Sequence, residues 1–211
     1  MPLQNRVTPW GDIVALPGRG TLMGNRGVLH DDRRQIVRPW QVKRWIACAL
    51  DFKGVRRSVM TPRTWTELFF LDEATAFAAG HRPCAYCRNA EYKRFRSLWE
   101  SLFGKVANVD AIDAALHAER VDGRKKRTWR SNIAALPDGT YVTVEGSARI
   151  LWHGNLAAWT GNGYTGRITP PAQLEVDVLT PRSIVALFKS GYVPAVHATL
   201  QSPMVERHNT G

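Results

Sequence analysis

Apolar residues follow two spacings along the chain, and each spacing predicts a different kind of element. From Trp45 to Phe52 apolar residues alternate with others, and a second run follows at residues 55–60 after Lys53-Gly54. Alternating runs joined by a short Gly-containing turn are typical of a β-hairpin. We therefore predict a hairpin over residues 45–60.

Helical spacing dominates the middle of the chain. Asp72 is a suitable N-cap for a short helix over residues 73–79, which Gly80 would end. A longer helix is predicted over residues 89–103, because apolar residues recur there on one face and Gly104 follows. Residues 109–120 have the same character and predict a third helix.

The final third of the chain changes to short apolar runs. They predict strands at 140–144, 150–152, 157–159 and 174–179, a helix at 181–189, and a last strand at 192–197. We expect an α+β fold with an N-terminal β-hairpin and a cysteine-containing helical unit in residues 1–132. A small β-rich part, residues 133–211, follows and can pack with the first part as one unit.

The charge of the chain is high and unevenly distributed. The 211 residues include 29 Lys and Arg against 18 Asp and Glu, a net of +11, and residues 1–66 hold +8 of this excess. Guanidinium groups bind phosphate oxygens in a bidentate way, so we expect nucleic acid as the partner, with DNA favoured. The alternative is a basic surface without a specific ligand. The candidate contact residues are Arg19, Arg26, Arg33, Arg34, Arg56, Arg57, Arg82, Arg88, Lys125, Lys126 and Arg127.

Composition excludes several classes of protein. Hydrophobic residues make up 44% of the chain, as in ordinary globular proteins, and no run of about 18 uncharged apolar residues could span a membrane. Residues 1–9 lack the apolar segment of a signal peptide, so we expect a cytoplasmic protein. Three cysteines in a cytoplasmic chain indicate metal ligands, a free thiol or core residues more than disulfides.

Two of the cysteines have the spacing of a metal knuckle. Cys84 and Cys87 follow a Gly-containing turn and directly precede the predicted helix at 89–103. Two thiolates at this spacing can bind one tetrahedral zinc ion. A pair of buried free thiols is the alternative, whereas a redox pair would need a βαβ setting that the pattern does not predict.

The segment around this knuckle also resembles a known family. Residues 69–88, FFLDEATAFAAGHRPCAYCR, are similar to the second half of the zinc-binding domain of the bacterial Ada DNA-repair proteins. That domain has a paired aromatic, a short Ala-rich helix, a glycine and then Arg-Pro-Cys-x-x-Cys-Arg. The resemblance covers about 20 residues. It implies structural zinc on Cys84 and Cys87, DNA as the ligand, and phosphate contacts from arginines near the knuckle.

The chain departs from that family in its other metal ligands. The upstream Cys-x-x-x-Cys pair of the Ada domain, which includes its methyl acceptor, is absent, so methyl transfer is not expected. Cys48 is either a core residue on the apolar face of its strand or a third ligand. The remaining ligand would be His81 or His30, and we favour His81 because it is close to the knuckle in sequence.

Two groups of residues are candidates for catalysis. His30, Asp31 and Asp32 lie next to a Gly-rich, Arg-containing loop, where a base and metal-binding carboxylates could hydrolyse a phosphodiester. A solvated loop with a capping Asp explains the same residues. Asp110, Asp113 and His117 share a predicted helical face, where Asp113, four residues before His117, could orient its imidazole. An ion-paired surface is again the alternative.

Three functions remain open. The leading hypothesis is a zinc-containing protein that binds or acts on DNA, in repair or modification. The second is a nucleic-acid hydrolase, a nuclease or glycosylase, centred on His30, Asp31 and Asp32. The third is a zinc-stabilised module that binds other proteins.

Overall fold

The computed structural model describes residues 1–54 and 58–201, which contain two six-stranded sheets and five helices. The first sheet is formed by β1 (Arg6–Val7), β2 (Ile13–Val14), β3 (Leu22–Asn25), β4 (Ile46–Ala49), β5 (Leu68–Phe70) and β6 (Arg82–Pro83). Its strand order is β2-β1-β5-β3-β4-β6. The β1–β5 and β4–β6 pairs are parallel, and the other pairs are antiparallel.

One helix lies between β5 and β6 along the chain, and two helices and a small hairpin lie between β6 and the second sheet. They are α1 (Glu73–Ala78), α2 (Asn89–Phe103) and α3 (Val109–Arg120), followed by β7 (Val121–Asp122) and β8 (Lys125–Lys126). The second sheet is formed by β9 (Trp129–Asn132), β10 (Tyr141–Val144), β11 (Ser147–Trp152), β12 (Asn155–Thr160), β13 (Gly163–Ile168) and β14 (Glu175–Val178). It is antiparallel throughout, in the order β13-β12-β11-β10-β14-β9, and α4 (Arg182–Lys189) and α5 (Ala198–Gln201) follow it.

This architecture confirms the α+β class. The helices at 89–103 and 109–120 have the predicted limits, and α1 begins where the Asp72 carboxylate accepts a 2.8 Å hydrogen bond from the Thr75 N–H. The strands at 140–144, 150–152, 157–159 and 174–179 and the helix at 181–189 are also present, with shifted ends.

Two predicted strands differ in the structure. β4 ends at Ala49 and pairs with β3 and β6, and residues 58–60 are not a strand. The remainder of the predicted return strand, with Arg56 and Arg57, lies outside the described residues. An N-terminal hairpin is nevertheless present, formed by β1 and β2.

The predicted strand at 192–197 is also absent: this segment is anchored by individual hydrogen bonds, one of them from the Glu73 N–H to the Ala195 carbonyl at 3.1 Å, and has no strand partner within the described residues. The Tyr192 hydroxyl and the Ala195 N–H each donate to the Glu73 carboxylate at 2.9 Å, and the His197 N–H donates to Asp72 at 2.9 Å.

α1 lies at the centre of the molecule. All six of its residues are buried, including Glu73 and Thr75, whose polar side chains are hydrogen-bonded inside the fold. Ala76 packs in the core of the first sheet, Ala74 and Ala78 pack with Tyr141 and other residues of the second sheet, and Phe77 packs with α2, α3 and α4. The parts expected at 1–132 and 133–211 therefore share hydrophobic clusters, and the second sheet already begins at Trp129.

Within residues 1–54 and 58–201, no helix has both the length and the apolar character needed to cross a membrane.

Candidate functional site

The three cysteines come together because β6 pairs with β4. Ile46 is opposite Arg82 and Ala47 is opposite Pro83 in this parallel pair, so the residues that follow, Cys48 and Cys84, lie side by side. A 2.9 Å hydrogen bond from the Cys84 N–H to the Ala47 carbonyl extends the pairing by one residue. The pairing of β4 with β6 thus brings Cys48 next to the two cysteines of the knuckle as a third candidate ligand.

The knuckle itself, residues 84–87, directs N–H groups at sulfur. The backbone N–H groups of Tyr86 and Cys87 donate to the Cys84 sulfur, and the Ala49 N–H donates to Cys87 Sγ at 3.4 Å. The Arg88 N–H closes the turn on the Cys84 carbonyl at 3.1 Å and leads into α2. Donors of this kind stabilise thiolates, which are the metal-binding form of cysteine.

The three sulfur atoms lie within 4.8 Å of one another. Tetrahedral zinc with Zn–S bonds of about 2.3 Å would bring them to about 3.8 Å apart. All three thiols are half-buried, and none forms a disulfide. The cluster could therefore hold a metal ion with small side-chain movements.

The electrostatics of the cluster fit a bound cation. Hydrogen bonding from Cys48 and from the knuckle amides lowers the pKa of Cys84 to about 4. The pKa of Cys48 is raised, first by its hydrogen bond to the Cys84 sulfur and then by burial, and burial also raises the pKa of Cys87. Without a metal only one thiolate is stable, because three adjacent negative charges repel, and a divalent cation removes that repulsion.

Three protein ligands leave one position of a tetrahedral site open. Within the part of the chain that the structure describes, no fourth His, Cys, Asp or Glu belongs to this group. Tyr86, inside the knuckle, packs its ring edge-on against Phe52 at 5.0 Å and accepts a 3.3 Å hydrogen bond from Lys53 Nζ.

His81, which was expected to be a ligand, is not a member of the group. Its ring is 1% exposed and packs against Trp45 and Phe70, with centroid separations of 5.1 and 4.6 Å. Burial, followed by the nearby charges of Arg26 and Arg120, lowers its pKa well below the ordinary value. His81 is therefore a neutral residue of the core, and the candidate metal site among the described residues consists of cysteines alone.

The proposed catalytic residues are occupied in holding a loop. His30 is buried, and its Nε2 lies 3.1 Å from the Thr61 carbonyl, which can only accept, so Nε2 carries the proton. Nδ1 then accepts from the Thr66 hydroxyl at 2.7 Å. Asp31 accepts from the Arg33 and Gln35 N–H groups at 2.9 Å, which leaves Asp32 as an exposed side chain of the same turn. The hydrogen bonds of His30 and Asp31 are thus made within this part of the chain, to Thr61, Thr66, Arg33 and Gln35.

Two of the expected phosphate-binding arginines are buried in ion pairs. Arg82 donates two 2.8 Å hydrogen bonds to Asp113, and Arg88 donates one of 2.6 Å to Glu73. The four side chains are between 3% and 6% exposed. Their charges are neutralised inside the fold, so this placement does not support phosphate contacts from Arg82 or Arg88. The Asp113 carboxylate is therefore the ion-pair partner of Arg82 and does not orient His117.

The other candidate basic residues fall into two groups. Arg19, Arg33, Arg34, Lys125 and Arg127 are exposed. Arg26 and Lys126 line a cavity of about 290 Å³ together with Arg120, which sequence analysis did not identify as a site residue. Exposed Arg38, Arg124 and Lys125 line the same cavity, as do Trp10, Trp40 and Trp45.

Arg26 and Arg120 hold the floor of this cavity around one indole ring. Their guanidinium carbons lie 4.4 and 4.0 Å from the ring centroid of Trp45. Arg26 donates to the Gly11 carbonyl and Arg120 to the Gly80 carbonyl, both at 2.7 Å. The Nε atoms of both arginines are buried without a hydrogen-bond partner among the described residues.

The cavity contains more positive than negative charge. Burial lowers the pKa of Arg26 and Arg120 to about 9 and that of Lys126 to about 7, with further lowering of the Arg120 and Lys126 values by neighbouring cations. Among the described residues that line the cavity, Asp12 is the one carboxylate. No local motif marks Arg120; it would have been found only by knowing that α3 ends beside Gly80.

Comparison with protein-family models, with curated proteins and with solved structures finds no match for this chain.

Proposed function

We propose that this protein binds one zinc ion through Cys48, Cys84 and Cys87 and binds DNA through the basic surface around the cavity. We further propose a role in DNA repair or modification in the cytoplasm, where the three free thiols would remain reduced. The observation that carries the nucleic-acid part is the convergence of two distant basic segments on one cavity. Arg38 belongs to the basic segment of residues 1–66, whereas Arg124 and Lys125 belong to the β7–β8 hairpin.

Zinc is the metal that best suits the donor set. Three thiolates are soft ligands, and zinc accepts tetrahedral sulfur coordination without redox chemistry. When bound it would act as a structural crosslink and a Lewis acid. The chain's own residues orient the sulfurs: β4 and β6 fix Cys48 and Cys84, and the Ala49 N–H positions Cys87.

DNA is favoured over RNA by the local resemblance of residues 69–88 to the Ada zinc-binding domain. The resemblance lies in the knuckle, whereas its flanking arginines are used internally here. The basic surface around the cavity would take over their role, because exposed arginines and lysines bind phosphates with release of counterions.

A hydrolase centred on His30, Asp31 and Asp32 is not proposed. A general base needs a free nitrogen lone pair facing the substrate, and both ring nitrogens of His30 are bonded to Thr61 and Thr66.

The proposal is tested by fluorescence anisotropy with labelled single- and double-stranded DNA over a range of salt concentrations. We expect the logarithm of the binding constant to fall linearly with the logarithm of the salt concentration. The double variant R38Q/R124Q should reduce both the affinity and the slope, whereas K93M, an exposed site on α2 outside the cavity lining, should change neither. Affinity that is independent of salt, or equal in the two variants, would favour a zinc-stabilised protein-binding module instead.

A further inference from the structure

The cavity holds more positive charge than the protein offsets: Asp12 acts on Arg26 and Lys126, and it is the one carboxylate among the described residues that line the cavity. Arg26 and Arg120 are 2% and 1% exposed, and Lys126 joins them from β8. Asp113, a buried carboxylate that acts on the charge of Arg120, already receives two hydrogen bonds from Arg82. Buried cations are costly unless an anion accompanies them.

Main-chain carbonyls account for only part of this arrangement. Lys126 Nζ donates to the Ala78 carbonyl, and Arg120 donates to that of Gly80, so both cations satisfy acceptors at the C-terminal end of α1. A helix C-terminus carries about half a negative charge, and α1 has only six residues. One short helix and the exposed carboxylate of Asp12 therefore do not offset three cations, and two buried Nε–H donors still lack acceptors within the described chain.

The residues around the three cations indicate which class of anion would fit the cavity. A phosphate monoester carries about two negative charges near pH 7 and offers three oxygens to N–H donors. The walls add the indoles of Trp10 and Trp40, and Trp40 Nε1 is another buried donor without a partner among the described residues. The volume of about 290 Å³ lies at the lower end of pockets that hold small ligands.

We propose that this cavity binds a phosphate monoester carried by a nucleoside, with the phosphoryl group at Arg26, Arg120 and Lys126 and the base near Trp10 and Trp40. The phosphate could belong to a free mononucleotide or to the end of a DNA strand. The choice of a nucleoside as the carrier rests on the proposed DNA binding, whereas the phosphate site does not.

Isothermal titration calorimetry of the full-length protein would test the site with dAMP, with deoxyadenosine, and with a hexanucleotide bearing either a 5′-phosphate or a 5′-hydroxyl. We expect dAMP or the phosphorylated strand to bind at least tenfold more tightly than its unphosphorylated counterpart. A preference confined to dAMP identifies a free nucleotide, and a preference confined to the strand identifies a DNA end. No preference in either pair would overturn the proposal.

Substitution of Lys126 separates a ligand site from a purely structural cation. In K126M we expect dAMP affinity to fall at least tenfold while the melting temperature of the ligand-free protein stays level or rises, because a half-buried positive charge that Arg26 and Arg120 repel has been removed. K93M should leave both unchanged. If K126M instead lowers the melting temperature and dAMP binding is unaltered, the cation serves only to cap α1, and the proposal fails.

The same measurements distinguish this inference from the proposed function. If the protein binds dAMP but shows no salt-dependent binding to DNA without a terminal phosphate, the DNA proposal is refuted and the phosphate site is supported. DNA binding with no preference for a phosphorylated ligand would do the reverse.

Discussion

Arg82 and Asp113 form a bidentate ion pair in which both hydrogen bonds measure 2.8 Å and both side chains are 3% exposed. The pair joins β6, two residues before the first knuckle cysteine, to the middle of α3. It therefore fixes the direction in which the chain enters the cysteine cluster.

Breaking this pair on one side should be strongly destabilising. D113N leaves the Arg82 guanidinium buried without a counter-charge, which we expect to lower the free energy of unfolding by about 3–5 kcal/mol. Replacing both partners, in R82M/D113L, should restore a substantial part of that loss. Urea denaturation followed by circular dichroism would measure both, with the exposed pair variant D110N as a control; equal losses in D113N and D110N would contradict the assignment.

The cysteine cluster should bind metal as a unit. We expect about one equivalent of zinc per chain by elemental analysis of protein purified without chelator, and less than half an equivalent in C48S, C84S or C87S. A85S, an exposed position inside the same knuckle, should retain full occupancy. Normal zinc content in C48S would show that the third sulfur is not a ligand.

Stability of the ligand-free protein should rise with pH above neutrality because of Lys126. Its pKa is about 7 in the folded protein against an ordinary value of 10.5, so between these values the unfolded chain holds a proton that the folded chain has lost. The free energy of unfolding then increases from about pH 7 towards pH 10, and this contribution is level below pH 7.

The groups that surround Lys126 enter the same measurement. Arg26, Arg120 and Asp12 act on its charge, and His81 lies close enough to respond to it. The difference between wild type and K126M, measured by urea denaturation at pH 7, 8 and 9, isolates the lysine. Parallel curves for the two proteins would show that Lys126 titrates normally.

Substitution of Gly80 should destabilise the fold more than its positive φ alone would cause, because the Arg120 side chain packs against it. Its φ is +88°, and an added Cβ would lie 2.4 Å from Cδ of Arg120. Gly123 also has a positive φ, of +59°, but open space around it. We expect G123A to lose about 1 kcal/mol of stability and G80A at least about 2 kcal/mol, since only the second also displaces a buried side chain. Equal losses would mean that the Arg120 stem moves freely.

The two sheets should unfold together. Tyr164 donates a 2.5 Å hydrogen bond to Asp72, whose pKa is raised by burial despite that bond, and the hydroxyls of Tyr164 and Tyr141 lie 2.7 Å apart. We expect a single thermal transition for the whole chain, and Y164F should lower the free energy of unfolding by about 1–3 kcal/mol. Y86F, at an exposed tyrosine, is the control. Two separate transitions would indicate independent domains divided near residue 132.

The parts of this structure that sequence could predict are those specified by neighbouring residues. α2 ends at Gly104, and α3 is capped by Asn108, whose side chain accepts a hydrogen bond from Ala111; both helices have their predicted limits. The prediction that Cys84 and Cys87 act together likewise depended only on their spacing in the sequence. Cys48 was open to two interpretations because its apolar surroundings fit a core residue as well as a ligand.

Interactions between distant segments could not be predicted. Arg82 and Arg88 have the sequence context of phosphate contacts, and only the packing of α3 and α1 shows that Asp113 and Glu73 neutralise them. His81 is adjacent to the knuckle in sequence, yet the side chain points into the aromatic cluster of Trp45 and Phe70. Charge totals for a segment do not tell which of its cations are exposed.

The nine residues from Gly80 to Arg88 serve three structures in succession: the cavity floor at Gly80, the ion pair of Arg82 and the sulfur cluster. Arg88 then anchors the segment to Glu73, which also holds the C-terminal part through Tyr192. Each of these positions is held by short hydrogen bonds or by strand pairing, so the segment between them has a fixed length and path. Inserting or deleting one residue in this stretch would misalign the cavity, the ion pair and the sulfurs simultaneously, so the cavity and the cysteine cluster depend on the same short segment for their geometry.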